Sequence, residues 1–444
     1  MSKEKIIIRS GTREGLFDGI ITLLQLIRQA PSGKFTTAIS CWNIQDTAKH
    51  KWRGLMLDES RHFFGKKNVK IILDWMAFYK LNRFHWHLTD QPGWRLEIKQ
   101  YPKLTSIGGI GNHSDGNARA EYYTYADIRE IVQYAAARFI TIIPEIEMPG
   151  HATAANRAYP EFSGGGTDEY ANFTFNPGNK KTYSYLTNIL RETKTLFPSG
   201  MVHLGGDEVS FGSESWKEDS DVRELMRQER LNDLKAVELF FVQKMAHSAL
   251  KLYNKVLFWD EAADASLPVN NTIIFWWRHD KPEQLKKALL KGYHVVLCPQ
   301  MPLYFDFVQD SIHTDGRRLE GNFNSLEKVY NFPDDESYAI GMENKLVLGI
   351  QANLWSETVQ TQKRLQYLLF PRIAALSEAA WTTPAKRNYN EFLIRLEKHL
   401  QWYKAAKICY YNPFAPKKTP EISDRLAPTF QPSPQFTQDE IIRL

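Results

Sequence analysis

The stretch MVHLGGDE, Met201 to Glu208, decides the reading of this chain. Met201, Val202 and Leu204 form a short apolar run, two glycines follow, and the run closes on adjacent acids, Asp207 and Glu208. A run of this kind, apolar apart from His203 and acidic only at its C-terminal end, is the pattern of a strand covered on both faces. Working outward, the same form recurs before it at Arg53–Asp58, Arg83–Thr89 and Ile140–Glu145, and after it at Lys255–Trp259, Thr272–Trp276, His294–Cys298 and Lys345–Ile350. Helical stretches lie between. Asn68–Tyr79 puts Val69, Ile72, Leu73 and Met76 on one face, and Thr124–Phe139 opens with Thr124 followed by Asp127, a capping box. Leu231–Leu252, Pro282–Leu290 and Thr361–Ala380 supply others. Eight strand–helix alternations predict an α/β chain folded as a (β/α)8 barrel.

Ahead of the barrel, Lys5–Arg9 reads as a short strand. Arg13–Gln29 reads as a helix, with Leu16, Phe17, Ile20, Leu23, Leu24 and Ile27 at spacings of three and four, and Phe35–Ser40 as a second strand. The expected organisation is a remnant of a small α/β accessory domain over 1–45, the barrel over 46–405, and a Pro-rich tail over 406–444.

Bulk properties narrow the function. The net charge of +5 over 444 residues comes with no long basic run, which argues against nucleic acid or an anionic membrane surface as partner. No apolar stretch reaches the length of a membrane span, and Met1–Arg9 lacks the apolar segment of a signal peptide, so the compartment is left open. Cys41, Cys298 and Cys409 make neither a disulfide framework nor a zinc pattern. Aromatics at 13%, with 12 Trp, suit a core and also suit proteins that stack on sugar rings.

In a barrel of this type the site is built at the C-terminal ends of the strands. The polar and aromatic residues at those ends are Asp90, Glu145, Glu147, His151, Asp207, Glu208, Trp259, Asp260, Glu261, Trp277, Arg278, Tyr304, Asp306, Trp355 and Glu357. Trp276 alternates with Trp277 and is expected to pack outward on a helix. Two glycosidase carboxylates usually face each other across the scissile bond. Adjacent residues on a strand point to opposite faces, so Asp207 and Glu208 are better suited to a division of labour. One would work as acid and base and the other would orient something beside it, leaving the nucleophile to come from elsewhere, the substrate included.

At these residues the sequence resembles the family 20 glycoside hydrolases, the β-N-acetylhexosaminidases, from about Trp52 to Trp381. The motifs are WRGLMLD (52–58), HWHLTD (85–90), PEIEMPGH (144–151), HLGGDE (203–208), WDE (259–261) and LWSE (354–357). The resemblance implies hydrolysis of terminal N-acetylhexosamine residues from glycans with retention, assisted by the substrate's own acetamido group. By it Glu208 would be the general acid and base, Asp207 would hold the acetamido group, and Tyr304 would donate to its oxygen. Trp259, Trp277 and Trp355 would wall the pocket, and Arg53, Asp306 and Glu357 would hold sugar hydroxyls, with Asp90 also in the substrate-binding set. His151 would support the acid through Glu147, which stands where many relatives carry Asp. No metal or other cofactor is implied, and the partner is the glycan. Relatives usually carry a full accessory domain before the barrel, so the chain is expected to be truncated at its N-terminus.

Two rival classes fit the sequence less well. His85 and His87 could begin a metallohydrolase site, but the fifth and sixth runs end in Trp where further histidines would be needed. A non-catalytic glycan-binding protein on the same scaffold would keep the aromatics and could lose the acid, whereas Glu208 is intact.

Overall fold

The computed structural model describes residues 5–30, 37–333 and 344–424. Eight parallel strands close into a barrel: β1 Trp52–Asp58, β2 Arg83–His87, β3 Thr141–Glu145, β4 Met201–His203, β5 Lys255–Trp259, β6 Thr272–Trp276, β7 His294–Leu297 and β8 Val347–Leu354. Neighbours in sequence are neighbours in space, and β8 pairs with β1 to close the ring, Trp52 opposite Gly349 through Leu57 opposite Leu354. Gly349 is required at that seam, because a Cβ there would stand 1.9 Å from the Trp52 carbonyl oxygen.

Alternation along the strands separates two cores. Leu55, Leu57, Phe84, Trp86, Val202, Val256, Phe258, Ile274, Trp276 and Leu297 face outward into the layer beneath the helices. Trp52, Met56, Ile143, Leu257, Trp259, Ile273, Phe275 and Val296 fill the barrel interior. Trp276 packs outward as its parity predicts, its indole donating to the Lys281 carbonyl at 3.1 Å.

The principal helices are α1 Arg13–Gln29, α2 Gly65–Phe78, α3 Tyr125–Ala136, α4 Lys180–Leu196, α5 Leu234–Leu250, α6 Pro282–Leu290, α7 Gln362–Leu369, α8 Arg372–Trp381 and α9 Tyr389–Ala405. The Thr124–Asp127 capping box at the start of α3 is present in both directions. Three expectations need correcting. The stretch Thr361–Ala380 is two helices, broken where Pro371 removes an amide donor. The β5–β6 connection carries two 3₁₀ turns and, among the described residues, no α-helix: only 12 residues separate Trp259 from Thr272, and Pro268 interrupts them. Lys5–Arg9 is not a strand, since nothing among the described residues pairs with it.

The strand expected over Phe35–Ser40 begins in residues outside the described set, as does the tail beyond Asp424. α1 lays Phe17, Ile21 and Leu24 on the barrel and leaves Leu16, Ile20 and Ile27 exposed. The segment up to Asp424 is tied down: Asp424 accepts from the amides of Gln360 and Thr361 at 2.7 and 3.0 Å. No helix among the described residues is long and apolar enough to cross a membrane.

Candidate active site

A cavity of about 180 Å³ opens at the C-terminal ends of the strands, lined by Arg61, Gln91, His151, Tyr170, Asp207, Glu208, Phe211, Trp259, Trp277, Gln300, Tyr304, Arg317, Trp355 and Glu357. That is smaller than a pocket for a drug-sized ligand and suits one small ring.

The pair at the end of β4 is set by unusual backbone. Gly205 and Gly206 have φ of +65° and +92°, and a Cβ on Gly205 would fall 1.6 Å from a Glu147 oxygen. Glu208 follows with φ +51°, in the left-handed region that a side-chain-bearing residue enters at a cost. The turn sends the two acids in different ways: the Asp207 side chain is 13% exposed and that of Glu208 is 34% exposed. Asp207 Oδ1 is buried with no hydrogen-bond partner among the described residues.

His151, itself at φ +52°, stands against both acids, its Nε2 3.3 Å from Glu208 Oε2 and 3.7 Å from Asp207 Oδ2. Its Nδ1 lies 3.0 Å from Asp90 Oδ1. Burial opposes the charge on this ring, but Asp90, Glu208 and Asp207 together hold its pKa well above the ordinary histidine value. Asp90 is fully buried, yet Arg61, 2.7 Å away, and His151 keep it ionised, well below the usual carboxylate range. The carboxylate behind His151 is therefore Asp90. Glu147 does not stand between His151 and Glu208 as expected: its Oε1 accepts from the Gly206 amide at 3.1 Å, and burial beside Asp207 and Glu145 raises its pKa well above normal. Burial likewise pushes Asp207 up to about 6, with His151 pulling the other way.

Below the cavity the strand register aligns His87 with Glu145 and Glu145 with His203. The Glu145 carboxylate collects His87, His203 Nδ1 at 2.7 Å, His85 Nε2 at 3.1 Å and the Trp259 indole N–H at 2.8 Å. Burial alone would raise Glu145, but His203, His87 and His85 hold it well below the carboxylate range. His87 bridges onward to Asp90 at 2.9 Å and is lifted to about 10 against its burial by Glu145 and Asp90. One chain of ionisable groups thus runs from Glu145 through His87, Asp90 and His151 to Glu208, and its first member also fixes the Trp259 indole.

Trp259, Trp277, Tyr304 and Trp355 all line the cavity. Trp259 lies 5.8 Å from Trp355 between ring centroids, Tyr304 lies 6.1 Å from Trp355, and Trp277 stacks on Tyr304 at 14° and 6.3 Å. The Trp277 indole is held by Glu261 at 3.1 Å. Glu357 lines the cavity and is lowered to about 2, burial being outweighed by Arg317 and Arg61. Asp306 is fully buried and does not open onto the cavity. Burial raises it to about 7 against the pull of Arg317.

Arg53 is at the other end of the barrel. As the second residue of β1 it points outward from the strand's start, donating to the Lys80 carbonyl at 2.7 Å and the His50 carbonyl at 3.0 Å and pairing with Glu14 of α1 at 3.4 Å. The cavity arginine is Arg61, three residues past the end of β1 and 5.1 Å above the Trp355 ring. Its position was available from the rule that strand C-terminal ends build the site. Arg317, on the long loop after β7, carried no such signal.

Three groups have metal-ligand spacing: His85, Glu145 and His203; His87, Glu145 and Glu147; and His151, Asp207 and Glu208. His87 has both ring nitrogens engaged by carboxylates, and His151 has Nδ1 engaged by Asp90. What the cavity can do chemically is transfer a proton from a half-exposed, histidine-backed carboxyl. It can also accept an N–H or O–H at a buried carboxylate oxygen inside an aromatic cage.

Residues 50–384 match the family described as glycosyl hydrolase family 20, catalytic domain. Over its whole length the chain is 33% identical to a β-hexosaminidase of Porphyromonas gingivalis and spans 58% of that protein. It is 33% identical to a β-hexosaminidase of Akkermansia muciniphila, over 89% of this chain and 81% of that one. Among solved structures it is similar to the GH20 exo β-N-acetylglucosaminidase of Vibrio harveyi in complex with N-acetylglucosamine. The TM-score is 0.84 at 33% identity, over 93% of this chain and 67% of that one.

Proposed function

The chain belongs to glycosyl hydrolase family 20, and we propose that it hydrolyses terminal, non-reducing N-acetylhexosamine residues from glycans by a retaining, substrate-assisted mechanism. The observation that carries the reading is the buried Asp207 Oδ1 without a partner, next to Glu208 and beneath an aromatic cage. A buried acceptor left unpaired costs about 1–3 kcal/mol, so it is kept for a ligand donor. The acetamido N–H supplies one.

With the sugar seated, the acetamido methyl and carbonyl lie among Trp259, Trp277 and Trp355. Asp207 accepts the N–H, and the Tyr304 hydroxyl donates to the carbonyl oxygen. That oxygen attacks the anomeric carbon while Glu208 protonates the departing glycosidic oxygen: the C1–oxygen bond of the aglycone breaks and the bond from C1 to the acetamido oxygen forms. Asp207 stabilises the positive charge that spreads over the new ring. Water then attacks C1, its proton passing to Glu208, and the ring reopens, so that two inversions give net retention. His151, protonated and 3.3 Å from Glu208, supports the carboxylate left after the first step. Arg61 and Glu357 are placed for the ring hydroxyls.

The test compares an aryl N-acetylglucosaminide with the corresponding aryl glucoside and follows the first-formed product by proton NMR. An intramolecular nucleophile supplies about 7–11 kcal/mol when well placed, so the glucoside should be nearly inert even at saturation, and the released sugar should be the β-anomer. Comparable turnover of the glucoside, or an inverted first product, rules the mechanism out.

A further inference from the structure

Arg317 reaches the cavity from the loop between β7 and β8, far in sequence from every motif that marks the site. Its guanidinium lies 3.3 Å from Glu357 Oε1 and 3.6 Å from Asp306 Oδ2. Arg61 stands 3.9 Å from the same Glu357 oxygen. One oxygen of Glu357 is thus held between two cations, while the other, Oε2, is buried and has no hydrogen-bond partner among the described residues. The last torsion of a glutamate is broad, so its rotamer alone does not set where its oxygens point. Something must hold one of them if the other is to be aimed.

The loop is built to deliver that arginine. Arg317 forms a bridge with Phe307, and its carbonyl accepts from the Val308 amide at 3.1 Å. Gly316 beside it has φ +115°, and a Cβ there would meet the Arg364 guanidinium at 2.8 Å and Val308 at 2.9 Å. The C-terminal segment pins the same turn. Glu421 accepts from the amides of Thr314 and Asp315 at 2.6 and 3.1 Å, and Asp315 accepts from the Ser423 hydroxyl and the Asp424 amide at 2.6 and 3.1 Å.

We propose that Arg317 is a specificity-determining, positioning residue: anchored by Asp306 and clamping one oxygen of Glu357, it aims the other at a ring hydroxyl of the bound sugar. This rests on the glycosidase reading above and adds to it the residue through which one hydroxyl is recognised. The clamped carboxylate offers an acceptor and no donor, so it rewards a hydroxyl in one configuration and loses that contact when the hydroxyl is inverted or removed.

The experiment pairs substrate deletions with residue changes. Aryl N-acetylglucosaminide, its 4-epimer (the galactosaminide) and its 4-deoxy and 6-deoxy analogues are assayed on wild type, Arg317→Met and Arg317→Lys. Wild type should disfavour at least one altered sugar by about 10–100-fold in kcat/KM, the worth of a hydrogen bond to a charged group. In Arg317→Met that preference should collapse to threefold or less, with the loss on the parent substrate borne by KM more than by kcat, and Lys should restore part of it. Direct binding of N-acetylglucosamine should weaken in parallel. If Arg317→Met does not fold, Glu421→Ala loosens the same loop from outside the cavity. A threefold or greater loss of selectivity then supports the proposal, and unchanged selectivity overturns it. Full selectivity in a folded Arg317→Met variant overturns the Arg317 assignment alone, while a wild type inactive on every N-acetylhexosaminide overturns the reading beneath it.

Discussion

The two ends of this barrel differ in how they pair one buried charged side chain each, Arg53 below and Asp207 above. At the bottom, Arg53 gives its donors to the carbonyls of Lys80 and His50 and to Glu14, and the result is a closed joint between α1 and the barrel. At the top, Asp207 Oδ1 and Glu357 Oε2, on two residues that line the cavity, are buried without hydrogen-bond partners among the described residues. The difference marks the upper end as shaped for a molecule that brings its own donors, with stability given up to do so.

The contrast breaks most visibly at Glu208. Glu208→Gln keeps the shape of the cavity and removes the transferable proton. General acid–base catalysis contributes about 10²–10⁴-fold, so kcat on a glycan with an ordinary sugar leaving group should fall by at least about 10². The fall should be smaller in the first step for a nitrophenyl leaving group, which departs with little protonation. Steady-state kinetics on the two substrates checks this, and a variant within threefold of wild type on the glycan removes Glu208 from the role.

Asp207→Asn is next in size. On the proposed mechanism the carboxamide still fits but cannot balance the charge of the cyclised acetamido group, and losing one such preorganised contact costs about 10²–10³ in kcat. Stability should move the other way. The folded-state pKa of Asp207, about 6, lies above the unfolded value near 3.8, so its ionisation costs nothing below pH 4 and progressively more as pH rises through about 6. The Asn variant should therefore melt at the wild-type temperature near pH 4 and above it at pH 7 and beyond. Because the protonated acid cannot perform the wild-type role, kcat/KM of the wild type should decline as pH falls through about 6. Melting curves at the two pH values test the sign, and an Asn variant less stable than wild type at pH 7 would refute the idea that Asp207 is held at a cost.

The fold was legible because parity and strand ends are local properties. All eight strands were placed within a few residues, and the outward Trp276 followed from alternation alone. The site was legible where a motif sits at a strand's C-terminal end. It was misread where adjacency in sequence stood in for adjacency in space. Glu147 is four residues from His151, but Asp90, from the next strand over, is the carboxylate that touches it, because the pairing of β2 with β3 decides who meets. Arg53 lies inside a motif and at the wrong end of its strand, whereas Arg61 lies past the end and reaches the cavity. Arg317 depends on a loop whose shape is set by Gly316 and by contacts with residues a hundred positions away, which no periodicity encodes.

The smallest expected effect on catalysis is at Arg53, and it tests the lower half of the comparison. Arg53→Met keeps most of the stem that packs against Trp381 and removes the guanidinium. The carbonyls of Lys80 and His50 lose a donor, and Glu14 and Asp18 lose their cation. The cost should be about 1–3 kcal/mol, or roughly 1–3 °C in melting temperature for a chain of this size. It should also depend on pH with a definite sign. Burial raises Asp18 to about 6, with Arg53 the strongest group pulling it down, so in the variant the ionised Asp18 is left near Glu14 and Asp46 with less to offset it. Below about pH 6 Asp18 is protonated in both folded proteins and that part of the penalty is absent, whereas above pH 6 it grows, because without Arg53 the variant's Asp18 holds its proton to higher pH. The gap between wild-type and variant melting temperatures should therefore widen between pH 4 and pH 7.5, while kcat/KM on an N-acetylhexosaminide stays within threefold at 25 °C. A gap that narrows as pH rises would remove Asp18 from the joint. A loss of activity much beyond threefold in a folded variant would mean that the lower end of the barrel is coupled to the chemistry after all.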